Sequence, residues 1–268
     1  YNDMRLSKRL ELVASFVEEG SRIADVGTDH GYIPIALVER EIVQSAVAMD
    51  LRQGPLQRAK EHIAQAGLSG RIETRLSDGL LALNCGEADT VIIAGMGGGL
   101  VVHILEDGRR LWREVKRFVL SPQSDLEMVR RYLESSGFLT EEEAMTEEEG
   151  KYYTVMAVRL KNEKELENPA EDNERISAAA CQARLRYGRC LIERKDPVLA
   201  DYLEKEEARI RSVLEKLRGQ KGSDSTLSDR QRSALEQLKA DLEVLQEARR
   251  EMQMPEPEKN TQVQAAEI

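Results

Sequence analysis

Four acids and the glycines around them carry the chemistry that can be read from this chain: Asp25, Asp29, Asp50 and Asp78. The first two lie in Ile23-Ala24-Asp25-Val26-Gly27-Thr28-Asp29-His30-Gly31-Tyr32, a short apolar run, a glycine-bearing turn and the opening of a helix. Such a turn, at the carboxyl end of the first strand of an open α/β sheet, binds a nucleotide-like cofactor. A dinucleotide fingerprint reads Gly-x-Gly-x-x-Gly, its middle glycine letting the backbone approach a pyrophosphate. Here the middle position is Asp29. A carboxylate there repels a pyrophosphate and suits a ligand with positive charge, such as the sulfonium and ammonium of S-adenosylmethionine. The pattern Asp25-x-Gly27-x-Asp29-x-Gly31 also fits a tight turn in any α/β domain, so the later landmarks decide between the two.

Asp50 ends the apolar run Ser45–Asp50, at about the distance downstream where an acid holds ribose hydroxyls, with Leu51 beside it. Asp78-Gly79 follows the alternating stretch Arg71–Leu76, where a cofactor adenine would lie. Asp-Gly is also ordinary turn chemistry, and its place after Asp50 gives it weight. Gly95-Met96-Gly97-Gly98-Gly99 is a second glycine-rich strand end. It lacks the Lys-Ser/Thr of a phosphate-binding P-loop. Glycines at a substrate mouth let the backbone approach a planar base. The Asn-Pro-Pro-Tyr common at this position in enzymes that methylate exocyclic amines is absent, which leaves attack by a ring nitrogen open.

The elements that must position these residues follow from periodicity. Apolar Leu6, Leu10, Val13 and Val17 predict an amphipathic helix over Met4–Glu18, with Arg5, Lys8 and Arg9 on its other face. Those cations are either an RNA contact near the sheet mouth or a solvated face. Strands over Ile23–Val26, Ser45–Asp50, Arg71–Leu76, Asp89–Ala94 and Lys116–Ser121 alternate with helices. The helix after Pro122-Gln123-Ser124-Asp125 is expected to be capped by Ser124 or Asp125. Phe138–Met145 and Tyr152–Leu160 predict a closing strand pair, joined by a run of six glutamates between Glu141 and Glu149 read as a solvated loop. The expected fold class is α/β, a Rossmann-like, mostly parallel seven-stranded sheet over residues 1–160.

Composition changes at Lys161. Residues 162–173 read as a linker, and two heptad-like runs follow, Leu199 to Leu217 and Leu235 to Met252, the second opened by the capping box Ser228-x-x-Gln231. They predict an α-helical coiled-coil hairpin within residues 161–254 and a disordered tail over 255–268. Residues 175–221 hold about a dozen Lys and Arg against seven acids, either an RNA-gripping face or ordinary surface charge.

The 268 residues are 41% hydrophobic and 33% charged, with a formal charge of -10 that disfavours indiscriminate polyanion binding. No run of eighteen apolar residues predicts a membrane helix. No basic-then-apolar leader points to export, and the chain opens on Tyr1, so its natural start is expected to differ. Cys85, Cys181 and Cys190 form no Cys-x-x-Cys pair and only His30, His62 and His103 accompany them, so no metal site is expected and a reducing, cytoplasmic setting fits.

Taken together, Arg5-Leu6, Asp25-Val26-Gly27-Thr28-Asp29-His30-Gly31-Tyr32-Ile33-Pro34, Ala94-Gly95-Met96-Gly97-Gly98 and Lys151-Tyr152-Tyr153 resemble the bacterial tRNA (adenine(22)-N1)-methyltransferases, which belong to class I. The resemblance covers residues 1–160 closely and the helical appendage by architecture. It implies methyl transfer from S-adenosylmethionine to N1 of an adenine in the D-stem of tRNA. For the cofactor it implies contacts from Asp25, Gly27, Thr28, Asp29, Gly31, Asp50, Leu51, Asp78, Gly79 and Gly95. Asp29, His30, Tyr32 and Met96 would serve the reacting base, and Arg5, Lys8, Arg9 and Gly97 the RNA. Oligomeric state, monomer or homodimer, is left open. Competing readings are a methyltransferase of another RNA, a protein or a small molecule, a nicotinamide oxidoreductase, which Asp29 opposes, and a catalytically inactive coiled-coil binding module.

Overall fold

The computed structural model describes residues 5–167, 176–219 and 229–253. Within them, seven strands form one sheet: β1 (Ser21–Val26), β2 (Val43–Asp50), β3 (Ile72–Leu76), β4 (Thr90–Ala94), β5 (Arg117–Ser121), β6 (Phe138–Glu148) and β7 (Lys151–Leu160). Their order across the sheet is β3-β2-β1-β4-β5-β7-β6. All pairs up to β5 are parallel, and β7 runs antiparallel to both its neighbours. The order reverses between β1 and β4, and an open α/β sheet places its binding crevice at the carboxyl ends of the strands beside such a reversal.

Strand alternation sends neighbouring residues to opposite faces. Val26, Met49, Ile93 and Leu120 pack on one face with α4 (Gly98–Asp107) and α5 (Leu126–Ser135). Ile23, Ala48, Ile92 and Val119 pack on the other with α1 (Lys8–Ser15), α2 (Tyr32–Glu39) and α3 (Gln53–Gln65). Asp25 shares the face of Ile23, which puts its carboxylate beneath α1 and α2. The first helix is shorter than the sequence predicts. Ser7 caps it by accepting from the Leu10 amide at 3.4 Å, and Leu6 is buried ahead of the cap.

Three further expectations are corrected. The glutamate run is strand up to Glu148, leaving only Glu149-Gly150 as the turn. Its carboxylates are held by arginines: Glu141 by Arg159 at 2.7 Å, Glu142 by Arg194 at 3.0 Å and Glu143 by Arg130 at 2.8 Å. Pairing with the apolar β7 supplies the rest. Asp125 takes a left-handed conformation and caps no amide of α5, while Ser124 turns its hydroxyl to Asp125 at 2.7 Å. The linker begins with a short helix, α6 (Glu163–Glu167).

Beyond it, α7 (Ala178–Tyr187), α8 (Arg189–Glu193), α9 (Pro197–Gly219) and α10 (Asp229–Gln253) enclose a separate apolar cluster that includes Leu199, Leu203, Ile210, Leu235, Leu245 and Met252. Leu214 and Ala248 are buried there too, and Val213 is only half-buried. Helix α10 packs on α7 as well as on α9, so the arrangement is more than a two-helix hairpin. The expected capping box at Ser228 and the tail from residue 255 lie outside the described residues. Among the described residues no helix is long and apolar enough to cross a membrane.

Candidate active site

The crevice beside the β1–β4 reversal holds a cavity of about 370 Å3. From the β1 turn it is lined by Asp25, Gly27, Asp29 and Tyr32, from the β4 end by Gly95, and from α1 by Arg9. Gln123, just beyond β5, closes the opposite side. The Gly27 and Thr28 amides both donate to the Met49 carbonyl at 2.8 Å, which ties the turn to β2. Gly27 has φ +77, and a Cβ there would collide with the Met96 methyl, so Met96 lies directly over the turn.

Asp25 is 6% exposed. Burial pushes its carboxyl up to about 6, with the Thr28 hydroxyl opposing the rise and the Asp50 carboxylate adding to it. The His30 Nδ1 is buried and makes no hydrogen bond among the described residues. A poorly solvated carboxylate under an open cavity gains most from a cation. The site therefore fits a ligand with a positively charged amine or sulfonium, and fits a pyrophosphate poorly.

Asp29 is at the mouth, its side chain 66% exposed, with Arg58 of α3 at 3.2 Å and the His30 Nε2 at 3.4 Å. His30 adopts φ +64. Its ring stacks on Tyr32 with centroids 5.1 Å apart and planes within 6°. His62 of α3 stacks beside both and places Nδ1 3.0 Å from the His30 carbonyl. A carbonyl only accepts, so that nitrogen carries the proton. The histidine of the turn thus belongs to a three-ring stack, a feature the linear sequence does not show because His62 arrives from a separate helix.

Other expected residues lie around the cavity rather than on its wall. Asp50 is buried at the end of β2 and accepts from the Arg52 amide at 2.7 Å. Leu51 beside it is 61% exposed. Asp78 is exposed and Gly79 left-handed after β3, which neighbours β2 in the sheet, and Gly79 faces Ile104 of α4. Gly31 opens α2 in a left-handed conformation against Ala59. Gly97 caps α4, facing the Ser124 hydroxyl. Of the basic trio, Arg9 alone reaches the cavity, seated 5.2 Å above the Tyr153 ring. Lys8 is tied to the far end of β6 through the Glu147 carbonyl at 2.9 Å, and Arg5 is exposed ahead of α1. Among the described residues no group of three or more His, Cys, Asp and Glu is placed to hold a metal ion. In the basic stretch, Arg184, Arg186, Arg209 and Arg211 are paired with Glu251, Asp241, Glu206 and Glu207, which reduces its value as a polyanion grip.

Comparison with known proteins identifies the family. A family model described as a methyltransferase domain matches residues 6–156. The tRNA (adenine(22)-N(1))-methyltransferase of Bacillus subtilis strain 168 is 30% identical over 246 residues, 92% of this chain and 98% of that relative. The crystal structure of the Bacillus subtilis tRNA methyltransferase TrmK superposes with a TM-score of 0.75 at 31% identity, over 91% of this chain and 99% of its own. Sp1610 of Streptococcus pneumoniae, solved in complex with S-adenosyl-L-methionine, superposes with a TM-score of 0.73 at 32% identity, over the same shares.

Proposed function

This chain belongs to the tRNA (adenine(22)-N1)-methyltransferases, and from that membership we propose how its crevice performs the reaction. The enzyme transfers a methyl group from S-adenosylmethionine to N1 of adenine 22 in tRNA. One observation carries the assignment of the site: an acid, Asp29, stands where a pyrophosphate binder needs glycine, above the buried Asp25 and on the wall of one cavity.

Asp25, Gly27, Thr28 and Gly31 hold the amino-acid end of the cofactor, Asp50 and Leu51 its ribose, and Asp78-Gly79 its adenine, with Gly95 facing them from β4. Bound there, S-adenosylmethionine supplies a methyl group made electrophilic by its sulfonium. The residues of the chain do the rest. N1 of adenine has an in-plane lone pair and gives up no proton, so the site needs no strong base. The methylated ring is cationic, and the Asp29 carboxylate offsets the charge that develops. Arg58 and solvent exposure temper that contribution. The His30–Tyr32 stack gives an extruded base a surface to lie on, at an unstacking cost of about a few kcal/mol. Met96 covers the turn, and Arg9 and Gly97 face the RNA backbone, with Lys8 and Arg5 farther out along it.

We take residues 1–160 as the methyltransferase domain, supported by the last strand ending at Leu160, and residues 161–254 as a helical unit that meets tRNA. The free cysteines, two exposed and one buried, support a reducing cytoplasmic setting. The test is transfer of labelled methyl into unmodified tRNA and into the same tRNA with guanine replacing adenine 22. Label confined to the first supports the proposal, and equal label in both overturns it.

A further inference from the structure

We infer that Gln123 selects adenine by reading its N6/N7 edge, leaving N1 free for methylation. The inference rests on the function proposed above and adds a residue to it. An enzyme that methylates N1 cannot grip the base on N1. The remaining identifying edge carries the N6 amine, a donor, beside N7, an acceptor. A side chain that matches both must offer an acceptor and a donor side by side, which is the property of a carboxamide.

The polar groups on the cavity wall can be sorted on that criterion. Arg9 only donates, and ionised Asp25 and Asp29 only accept. Tyr32 offers a single oxygen. Gln123 is the carboxamide on this wall, and its exposed side chain makes no hydrogen bond to the described residues. Its backbone, in contrast, is firmly placed. The Gln123 amide donates to the Met96 carbonyl at 2.8 Å, the Gly95 amide donates to the Ser121 carbonyl at 3.2 Å, and Pro122 is buried between them. Opposite it, Gly95 lacks a side chain. A Cβ there would stand 3.9 Å from both the Gln123 side-chain Nε2 and the Arg9 guanidinium, so the absence of a side chain at Gly95 keeps the wall between these two groups clear. Guanine presents O6 and N7, two acceptors, and satisfies only one half of the fork.

The experiment couples the side chain to the base. tRNA carrying adenine or 7-deazaadenine at position 22 is methylated by the wild-type chain, by Gln123→Met and by Gln123→Glu, with kcat and KM measured separately and S-adenosylmethionine affinity measured by calorimetry. Removing N7 is expected to cost the wild type about tenfold in kcat/KM, the size of one good base contact. Gln123→Met loses a similar factor on adenine and is indifferent to the deaza change. Gln123→Glu, which faces the N7 lone pair with a carboxylate, recovers on 7-deazaadenine. Both variants keep wild-type cofactor affinity. An equal deaza penalty in all three proteins overturns the role of Gln123 while leaving the methyltransferase reading intact. Failure of the wild type to methylate either tRNA overturns that reading itself.

Discussion

At Asp25 the proposed cofactor contact and the stability of the fold meet. Its carboxyl is raised from about 3.8 to about 6 by burial, so the folded chain holds the proton more tightly than the unfolded one. The sign follows directly: stability contributed by this group is greatest below the unfolded value and is lost as pH rises through about 6. A cationic ligand draws on the ionised form, so its affinity moves the other way. Calorimetric titration of S-adenosylmethionine between pH 5 and pH 8 is expected to show affinity falling as pH drops below about 6, and thermal melts of the free protein to show the opposite trend. In Asp25→Asn both trends flatten, and the free protein gains about 3 kcal/mol above pH 7. A pH-independent affinity in the wild type would remove Asp25 from the cofactor site. The residues of the β1 turn were legible because Asp25, Gly27 and Asp29 lie within five positions of one another and their types conflict with a dinucleotide fingerprint. Gln123, Arg58 and His62 were not, because Gln123 reaches the cavity from another strand end and Arg58 and His62 reach Asp29 and His30 from a separate helix. A glutamine two residues beyond a predicted parallel strand was the available signal, and its place at the strand's carboxyl end was the reason to weigh it.

At the scale of elements, β6 shows what pattern reading misses. A strand carrying five glutamates has no apolar alternation to announce it, and its stability comes from partners distant in sequence. Glu143 is 2% exposed and Arg130 5% exposed, joined at 2.8 Å. Arg130 also donates to the Leu185 and Arg186 carbonyls at 3.0 and 2.8 Å, and Glu143 accepts from the Cys190 amide at 3.2 Å. This network fastens α7 and α8 to α5 and the sheet. Breaking a buried pair by removing one partner leaves the other charge uncompensated, a loss of about 3 kcal/mol or more. Arg130→Met is therefore expected to lower the unfolding free energy by that amount, read as a lower urea midpoint at unchanged slope, with Arg130→Lys recovering part of it. No change in midpoint would mean that the pair is not the fastening. The parallel strands β1, β2, β4 and β5 were legible for the opposite reason: buried on both faces, they read as continuous apolar runs.

For the whole molecule, the sheet order places the β1 turn, the β4 glycines and the β5 end around one cavity, with α1 as its lid and the β6–β7 pair holding α1 through Lys8 and Arg9. Lys151-Tyr152-Tyr153, a motif without an assigned part in the sequence, gains two from this arrangement. Tyr153 seats Arg9 at the cavity, and Tyr152 bonds Asp201 of α9 at 2.5 Å, so one strand end links the crevice to the helical unit. The helices beyond residue 161 were legible as helices from their leucine spacing. Their close packing on α5 and β6 was not, because it runs through single buried side chains. In the proposed mechanism this assembly puts N1 of one adenine against an electrophilic methyl group beside Asp29. The most direct test digests tRNA treated with the chain and S-adenosylmethionine and identifies the methylated nucleoside by mass spectrometry, for the wild type and for Asp29→Asn. The expected result is 1-methyladenosine from both, formed about tenfold or more slowly by the variant. Methyl on the exocyclic N6 or on another base, or an Asp29→Asn rate equal to that of the wild type, would contradict the account.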